Sequence, residues 1–113
     1  MRLRARKDAN HNSIADLFTA AGCSVADTSQ LGRGFPDMLV GLCGINVLVE
    51  VKDGGKVPSK QKLTPDEFLF FDRWKGWVAV VRDDQDALNI INQIKQERAQ
   101  QIRGFAAMQE VKA

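Results

Sequence analysis

Two acidic residues and a lysine, Asp37, Glu50 and Lys52, stand in surroundings that are otherwise apolar or turn-forming. Asp37 closes the Gly/Pro turn at 34–36, and the other two lie in the apolar run VLVEVK at 47–52. A run that is apolar on both faces is typical of a central strand in an α/β sheet. An unpaired carboxylate is costly to bury there, so two carboxylates together predict a bound cation. The neighbouring lysine indicates chemistry on an anion.

The spacing of the two acids predicts that they face each other across a β-hairpin. Segments 37–42 and 45–52 read as strands joined by a tight turn. Paired positions in a symmetric hairpin keep a constant sum of residue numbers, which pairs Asp37 with Glu50 at a Cβ separation of about 4.5–5.5 Å. Lys52 follows Glu50 by two residues and so points to the same face. A one-residue slip of the register would separate the acids.

The rest of the pattern supplies the elements that position this hairpin. Helical spacing predicts helix 1 over 8–21, and a first strand follows at 23–27. The sequence TPDE at 64–67 combines an N-cap, an N1 proline and a capping box, so helix 2 begins there and runs to about Trp74. Strand 4 is predicted at 78–81 and helix 3 from Asp83 or Asp84. The order αβββαβ(α) predicts an α/β fold with a central mixed sheet flanked by helices.

Length and composition predict one domain. The chain has 113 residues, of which 44% are hydrophobic and 27% charged, and this suits a modest single core. We take 6–94 as that core and 95–113 as a C-terminal extension that prolongs helix 3, frays or docks on a partner chain. No apolar run approaches the roughly 18 residues of a membrane span, and the basic N-terminus lacks a signal peptide's apolar stretch. We expect a cytoplasmic protein with no membrane partner.

Cys23 and Cys43 fall in predicted apolar strands, and we expect both to be reduced core residues. The single histidine and the absence of a CxxC pair argue against a structural zinc site.

The cations are distributed in patches that suit phosphate contacts, although the net charge is only +2. The candidate DNA-binding residues are Arg4, Arg6, Lys7, Arg33, Lys56, Lys60 and Lys62. Each could instead be a solvated loop cation. Trp74 and Trp77 either stack on bases or pack in the core or at an interface.

Pro36-Asp37 followed by Glu50-Val51-Lys52, on consecutive strands after a helix, resembles the PD-(D/E)xK nuclease superfamily. Four sequence segments carry a closer resemblance, to the small stand-alone VRR-NUC proteins of phages and prophages. They are KDAN at 7–10, GFPDMLVG at 34–41, EVKDG at 50–54 and SKQKLTPDEF at 59–68. The likeness covers roughly residues 6–92 and implies a restriction-endonuclease-like core.

The resemblance implies a Mg²⁺- or Mn²⁺-dependent endonuclease that hydrolyses phosphodiester bonds in DNA. Asp37 and Glu50 would ligate the metal, with the Val51 carbonyl as a further oxygen ligand. Lys52 would orient or deprotonate the attacking water and offset charge on the phosphate. A homodimer acting on Holliday junctions or other branched DNA, in a bacterial or phage-infected cell, is the expected assembly. We expect recognition of DNA shape rather than of sequence.

Helix 1 departs from the family pattern. His11 stands where the family usually carries Glu or Gln, and Asp8 and Asn10 are alternates for that role. The histidine could ligate Mn²⁺, contact the scissile phosphate, or face solvent in the first turn. Downstream, Gln61 and Glu67 compete for the position of a family glutamine, and Glu67 also fits the capping box.

Two other functional classes fit the same residues. One is a non-catalytic DNA-binding protein that keeps the nuclease fold, and the other is an exonuclease or restriction-type nuclease. Helix 3 and its tail are the candidate dimer interface.

Overall fold

A four-stranded mixed sheet forms the centre of the fold, and its strands follow one another in chain order. A computed structural model describes the backbone of residues 10–112 and, except at Lys60, Phe105 and 107–112, their side chains. The strands are β1 (Ser24–Asp27), β2 (Met38–Leu42), β3 (Ile45–Val51) and β4 (Trp77–Val81), and the helices are α1 (His11–Ala20), α2 (Pro58–Gln61), α3 (Pro65–Arg73) and α4 (Asp84–Lys112). The first three strands pair antiparallel and β4 runs parallel to β3. The expected α/β class and mixed sheet are confirmed.

The β2–β3 hairpin has the predicted register. Leu42 pairs with Ile45, and the pairing continues to Met38 opposite Val49. Cys43 and Gly44 form the turn with φ angles of 54° and 78°, and two positive φ angles are what a type I′ hairpin turn requires. The turn exposes Cys43, whereas Cys23 is buried. The prediction of a buried core residue is therefore right for Cys23 and wrong for Cys43.

The apolar core lies between one face of the sheet and the helices α1 and α4. β3 is central and contributes Val47, Val49 and Val51, all at most 1% exposed. Ile14 and Phe18 of α1 pack into the same cluster. Because successive residues of a strand point to opposite faces, Glu50 lies on the other face, toward α3. The apolar side chains on the core face of β3 thus hold the strand in place, and its opposite face can carry a polar residue such as Glu50.

Helix α4 changes character along its length. Its first half contributes four buried residues to the core: Ala87, Ile90, Ile91 and Ile94. From Lys95 onward none of the described side chains is buried, and Ile102 is 55% exposed. Of the three alternatives for the C-terminal extension, a continuation of the preceding helix is the one observed. At 29 residues the helix is about 43 Å long.

The other element boundaries lie close to those predicted, with one addition. The one-turn helix α2 occupies a segment for which the sequence predicted a loop and no helix. Residues Arg4, Arg6, Lys7 and Asp8 lie outside the described residues. Within the part of the chain that is described, none of the helices combines the length and apolar character needed to cross a membrane.

Two of the isoleucines of α4, Ile94 and Ile102, test this division of the helix. Ile94→Ala should lower the free energy of unfolding by about 2–5 kcal/mol, because the residue is fully buried and its truncation leaves a cavity. Ile102→Ala should change it by less than about 0.5 kcal/mol. Urea unfolding followed by circular dichroism measures both. Equal losses for the two variants would contradict the assignment of the core to the first half of α4.

Candidate active site

The candidate site lies where β3 ends and β2 begins. The regular ladder stops at Met38, and the Asp37 amide donates to the Val49 carbonyl at 2.9 Å instead of continuing the pairing. Asp37 and Met38 thus both oppose Val49 of β3, as in a β-bulge. The Asp37 side chain takes over the next position, because its Oδ2 accepts from the Val51 amide at 2.7 Å. The carboxylate is thereby held against the end of β3.

Three carboxyl groups and one ammonium group meet at this point. The Glu50 carboxyl, in a residue that is only 4% exposed, hydrogen-bonds to the side chains of Asp37 and Glu67. The Lys52 ammonium lies 2.8 Å from Glu67 Oε1 and 3.7 Å from Glu50 Oε1. The predicted trio is therefore brought together, although Asp37 and Glu50 lie just beyond the last paired residues of the hairpin. The cluster holds more acidic groups than basic ones.

Burial and crowding of like charges set the ionisation of this cluster. The pKa of Glu50 is raised to about 10 by burial, by its hydrogen bond to Glu67 and by the charge of Asp37. Burial also raises the pKa of Asp37. The pKa of Glu67 falls to about 2, because hydrogen bonds from Glu50, Lys52 and the Thr64 amide outweigh its burial. At neutral pH a proton therefore stays on Glu50.

Lys52 keeps its charge. Burial pushes its pKa downward, but the hydrogen bond to Glu67 and the surrounding carboxylates outweigh burial and raise it. The amine is thus an ammonium at neutral pH. It can donate hydrogen bonds and offset negative charge, and it cannot accept a proton in this state.

The structure brings Glu67, and not Gln61, to the acid cluster. The predicted capping box of α3 is present, since Thr64 accepts from the Glu67 amide while Glu67 Oε1 accepts from the Thr64 amide at 2.8 Å. Gln61 instead donates through Nε2 to the carbonyls of Gly54 and Lys56. It holds the loop that leaves β3. Glu67 therefore has two roles, one at the helix start and one beside Lys52.

Helix 1 presents a buried imidazole to the site. His11 is 3% exposed, so the interpretation as a solvent-facing residue is wrong. Its ring is close enough to Asp37 to offset part of the rise that burial causes in the pKa of that carboxyl, and its Nε2 lies 3.9 Å from Asp27 Oδ2. Its Nδ1 is buried and has no hydrogen-bond partner among the described residues. A buried ring nitrogen without a partner is costly to keep unless something binds it.

Asn10 fixes the start of α1 at the same edge of the sheet. Its Nδ2 donates to the carbonyls of Lys52 and Arg82, both at 3.1 Å. These residues follow β3 and β4 directly. The side chain therefore ties the helix to the ends of two parallel strands, a contact that the sequence did not predict. Asp8, the other alternate on helix 1, lies outside the described residues.

The sequence did not predict two residues that support the site, Thr28 and Asp27. Thr28 donates to the Asp37 carbonyl through its amide, at 2.9 Å, and to the Pro36 carbonyl through its hydroxyl, at 2.7 Å. Asp27 pairs with Met38 across the β1–β2 ladder, which places it beside Asp37 and near His11. The strand register was the signal that could have revealed Asp27. Nothing in the local sequence distinguished Thr28.

The predicted DNA-binding cations lie on the surface where they are described. Arg33, Lys56 and Lys62 are exposed, and Arg33 adopts a positive φ of 56° in the loop before the site. The side chain of Lys60 is not described.

The donor set at the acid cluster fits a hard divalent cation. Within residues 10–112, no three or more His, Cys, Asp or Glu side chains are placed to hold a metal ion together. Mg²⁺, however, is commonly held by one or two carboxylates, with waters and substrate phosphates completing its coordination. Asp37 and Glu50 supply two such carboxylates, and the excess of acidic groups favours an added cation. The Val51 amide already binds Asp37, so the Val51 peptide unit lies at the carboxyl pair.

Comparisons with protein-family models, with curated proteins and with solved structures gave no match to this chain. The likeness to the nuclease superfamily therefore depends on the sequence motifs, and it stays a prediction.

Proposed function

We propose that the chain is a Mg²⁺- or Mn²⁺-dependent endonuclease of the VRR-NUC type, on a restriction-endonuclease-like core, acting on branched DNA as a homodimer. The observation that carries the proposal is the cluster at the end of β3. It holds three carboxyl groups against one lysine ammonium, and its surplus negative charge is relieved by a proton on Glu50. A divalent cation would relieve that surplus more fully than the proton does.

Asp37 and Glu50 are the residues that would hold the cation, with the Val51 carbonyl as a third oxygen. When bound, such a cation supplies a water of lowered pKa and stabilises charge on the phosphate. Asp37 is already fixed by the Val51 amide, so little ordering of its side chain remains to be done. Glu50 must first lose its proton, because a protonated carboxyl is a poor ligand.

Lys52 acts on the phosphate rather than as a base. Its raised pKa keeps it protonated, and only one of its three N–H groups is needed for Glu67. The remaining donors can reach a phosphoryl oxygen and the attacking water. Lys52 thus orients the nucleophile and stabilises the developing charge on the phosphate.

His11 completes the site from the side of α1. Its Nδ1, which has no hydrogen-bond partner among the described residues, can ligate Mn²⁺ or donate to the scissile phosphate, depending on which ring nitrogen carries the proton. The expected carboxylate or amide of the family is thereby replaced by a buried imidazole. This replacement favours one strongly held cation over two, because helix 1 adds no negative charge within the described residues of the site.

A cleavage assay tests the proposal. A labelled four-way junction should be cut in Mg²⁺ or Mn²⁺ and left intact in EDTA. Asp37→Ala and Lys52→Ala should each lower the rate by at least about 10²-fold, because each removes a group that stabilises the transition state. Comparing the junction with flap, duplex and single-stranded substrates separates a structure-selective endonuclease from an exonuclease or a restriction-type enzyme.

Matched controls are an exposed acid and an exposed lysine elsewhere in the chain. Asp16→Ala on α1 and Lys95→Ala on α4 should cut at the parent rate. Undiminished cleavage by the Asp37 and Lys52 variants would refute the assignment of the site. Junction binding without cleavage in either metal would favour the non-catalytic DNA-binding protein.

Metal binding should release the Glu50 proton. Because the raised pKa leaves Glu50 protonated at pH 7, about one proton should leave per cation bound, and affinity should rise about tenfold per pH unit below the pKa. Calorimetric titration with Mn²⁺ in two buffers of different ionisation enthalpy measures this release. Glu50→Gln should abolish it. Identical heats in both buffers for the parent chain would contradict the proposed exchange.

The homodimer is tested by a solution mass measurement. Light scattering at micromolar concentration should give twice the 12.5 kDa of one chain. The exposed second half of α4 is the proposed contact, so truncation after Lys95 should give the monomer mass. A parent chain of monomer mass would remove the dimer from the proposal and leave the active site unaffected.

A further inference from the structure

A concave pocket with a volume of about 360 Å³, which we name the aromatic pocket, lies next to the acid cluster. It is lined by Arg33, Asp66, Leu69, Phe70, Arg73 and Trp74. The loop before the site supplies the first of these residues and α3 with its C-cap supplies the rest. Glu67 of the acid cluster lies on the same helix, one turn before Phe70. The two residues are three positions apart, which is about 4.5 Å along the helix axis.

The pocket and the acid cluster are joined by a close backbone contact. A Cβ added at Gly34 would lie 2.4 Å from the Asp66 carbonyl oxygen and 2.8 Å from the Glu67 amide nitrogen. Gly34 also has a φ of 78°, which favours glycine. The loop that ends at Asp37 is thus pressed onto the first turn of α3. The two sites are held in a fixed relation by this contact.

An aromatic stack forms one wall of the aromatic pocket. Phe70 and Trp74 lie face to face, with ring centroids 5.1 Å apart and planes inclined by 16°. Phe35 supports Phe70 edge-on from the loop at 5.0 Å. Despite this support Trp74 is 44% exposed. A Cβ at Gly76 would lie 2.9 Å from the indole nitrogen, so the glycine lets the ring lie against the chain.

Two guanidinium groups at the pocket have no partner among the described residues. Neither Arg33 nor Arg73 makes a hydrogen bond or an ion pair within residues 10–112, whereas Arg82 does. Asp66 is the one carboxylate in the lining, so cationic groups outnumber it. An exposed indole flanked by unpaired arginines matches a ligand that has both a flat apolar face and negative charge.

We propose that the aromatic pocket binds one unpaired nucleotide of a DNA strand, next to the phosphate held at the acid cluster. The base stacks on Trp74, and Arg33 and Arg73 contact the flanking phosphates. This inference rests on the proposed nuclease function and deepens it, because it selects substrates in which a base beside the cut is free of its partner. Flaps present such bases and an intact duplex does not, whereas a fully paired four-way junction must first open a base pair at its crossover.

Tryptophan fluorescence reports directly on the stacking of a base against Trp74. The chain has 2 tryptophans, so in a Trp77→Phe variant all indole emission comes from Trp74. An added Asp37→Asn substitution prevents cleavage. A single-stranded oligonucleotide should quench this emission as its bases stack on the ring. A strand of equal length built from abasic sites, with the same phosphates, should quench little and bind about tenfold more weakly.

Substitutions separate stacking from charge, with binding measured by anisotropy of a labelled strand. Trp74→Ala should weaken binding about tenfold, Trp74→Phe should retain most of the affinity, and Trp77→Ala should match the parent. Arg73→Gln should weaken binding and reduce the salt dependence by about one phosphate contact. Lys95→Gln on α4, which is exposed and precedes the segment removed in the dimer test, is its control.

Equal affinity for normal and abasic strands, or equal losses for Trp74→Ala and Trp77→Ala, would overturn the proposal. Failure of the pocket and failure of the nuclease are distinguishable. Cleavage that is lost in Asp37→Ala but unchanged in Trp74→Ala would refute nucleotide binding at the aromatic pocket and leave the nuclease proposal intact. If bases quench the Trp74 emission but the parent chain never cuts DNA, the nuclease proposal fails and nucleotide binding at the aromatic pocket stands.

Discussion

The surplus of buried carboxyl groups at the end of β3 is the constraint around which the rest of the site is arranged. A central strand must be covered on both faces, and here its second face carries Glu50 instead of an apolar residue. Each neighbouring feature offsets the cost of that choice: Lys52 directly after the same strand, Glu67 from α3 and the proton that Glu50 retains. Replacing the cluster by apolar side chains would pack as well and cost less. Stability therefore does not account for the cluster, whereas the proposed metal chemistry would.

The parts of the structure that follow local rules could be predicted from the sequence. The hairpin register followed from the turn at Cys43, because the period of a strand allows only a few pairings. The start of α3 followed from Thr64 and Glu67, which satisfy each other's backbone groups whatever surrounds them. The hairpin predicted that Asp37 lies near Glu50, but the structure replaces their direct pairing by a bulge opposite Val49. These features depend on residues that are near in sequence or joined by one turn.

The parts that depend on tertiary contact could not be predicted. Nothing in the first turn of α1 shows that His11 is buried, since its burial follows from the packing of that helix against strand ends far along the chain. For the same reason, the local sequence could not show whether Gln61 or Glu67 reaches the acid cluster. The aromatic pocket combines the loop at Arg33 with a helix that begins at Pro65, and sequence spacing does not report how those two segments approach.

One oxygen atom of Glu67 serves two structures at once. Oε1 accepts from the Thr64 amide at 2.8 Å, which caps α3, and from the Lys52 ammonium, also at 2.8 Å. In a deep mutational scan, losses at position 67 would therefore combine lower protein abundance with lower activity, and neither component could be read from fitness alone. Glutamine keeps a cap acceptor but loses the charge, and it is the substitution that would separate the two. An evolving lineage faces the same coupling, so the helix start and the lysine environment are expected to change together.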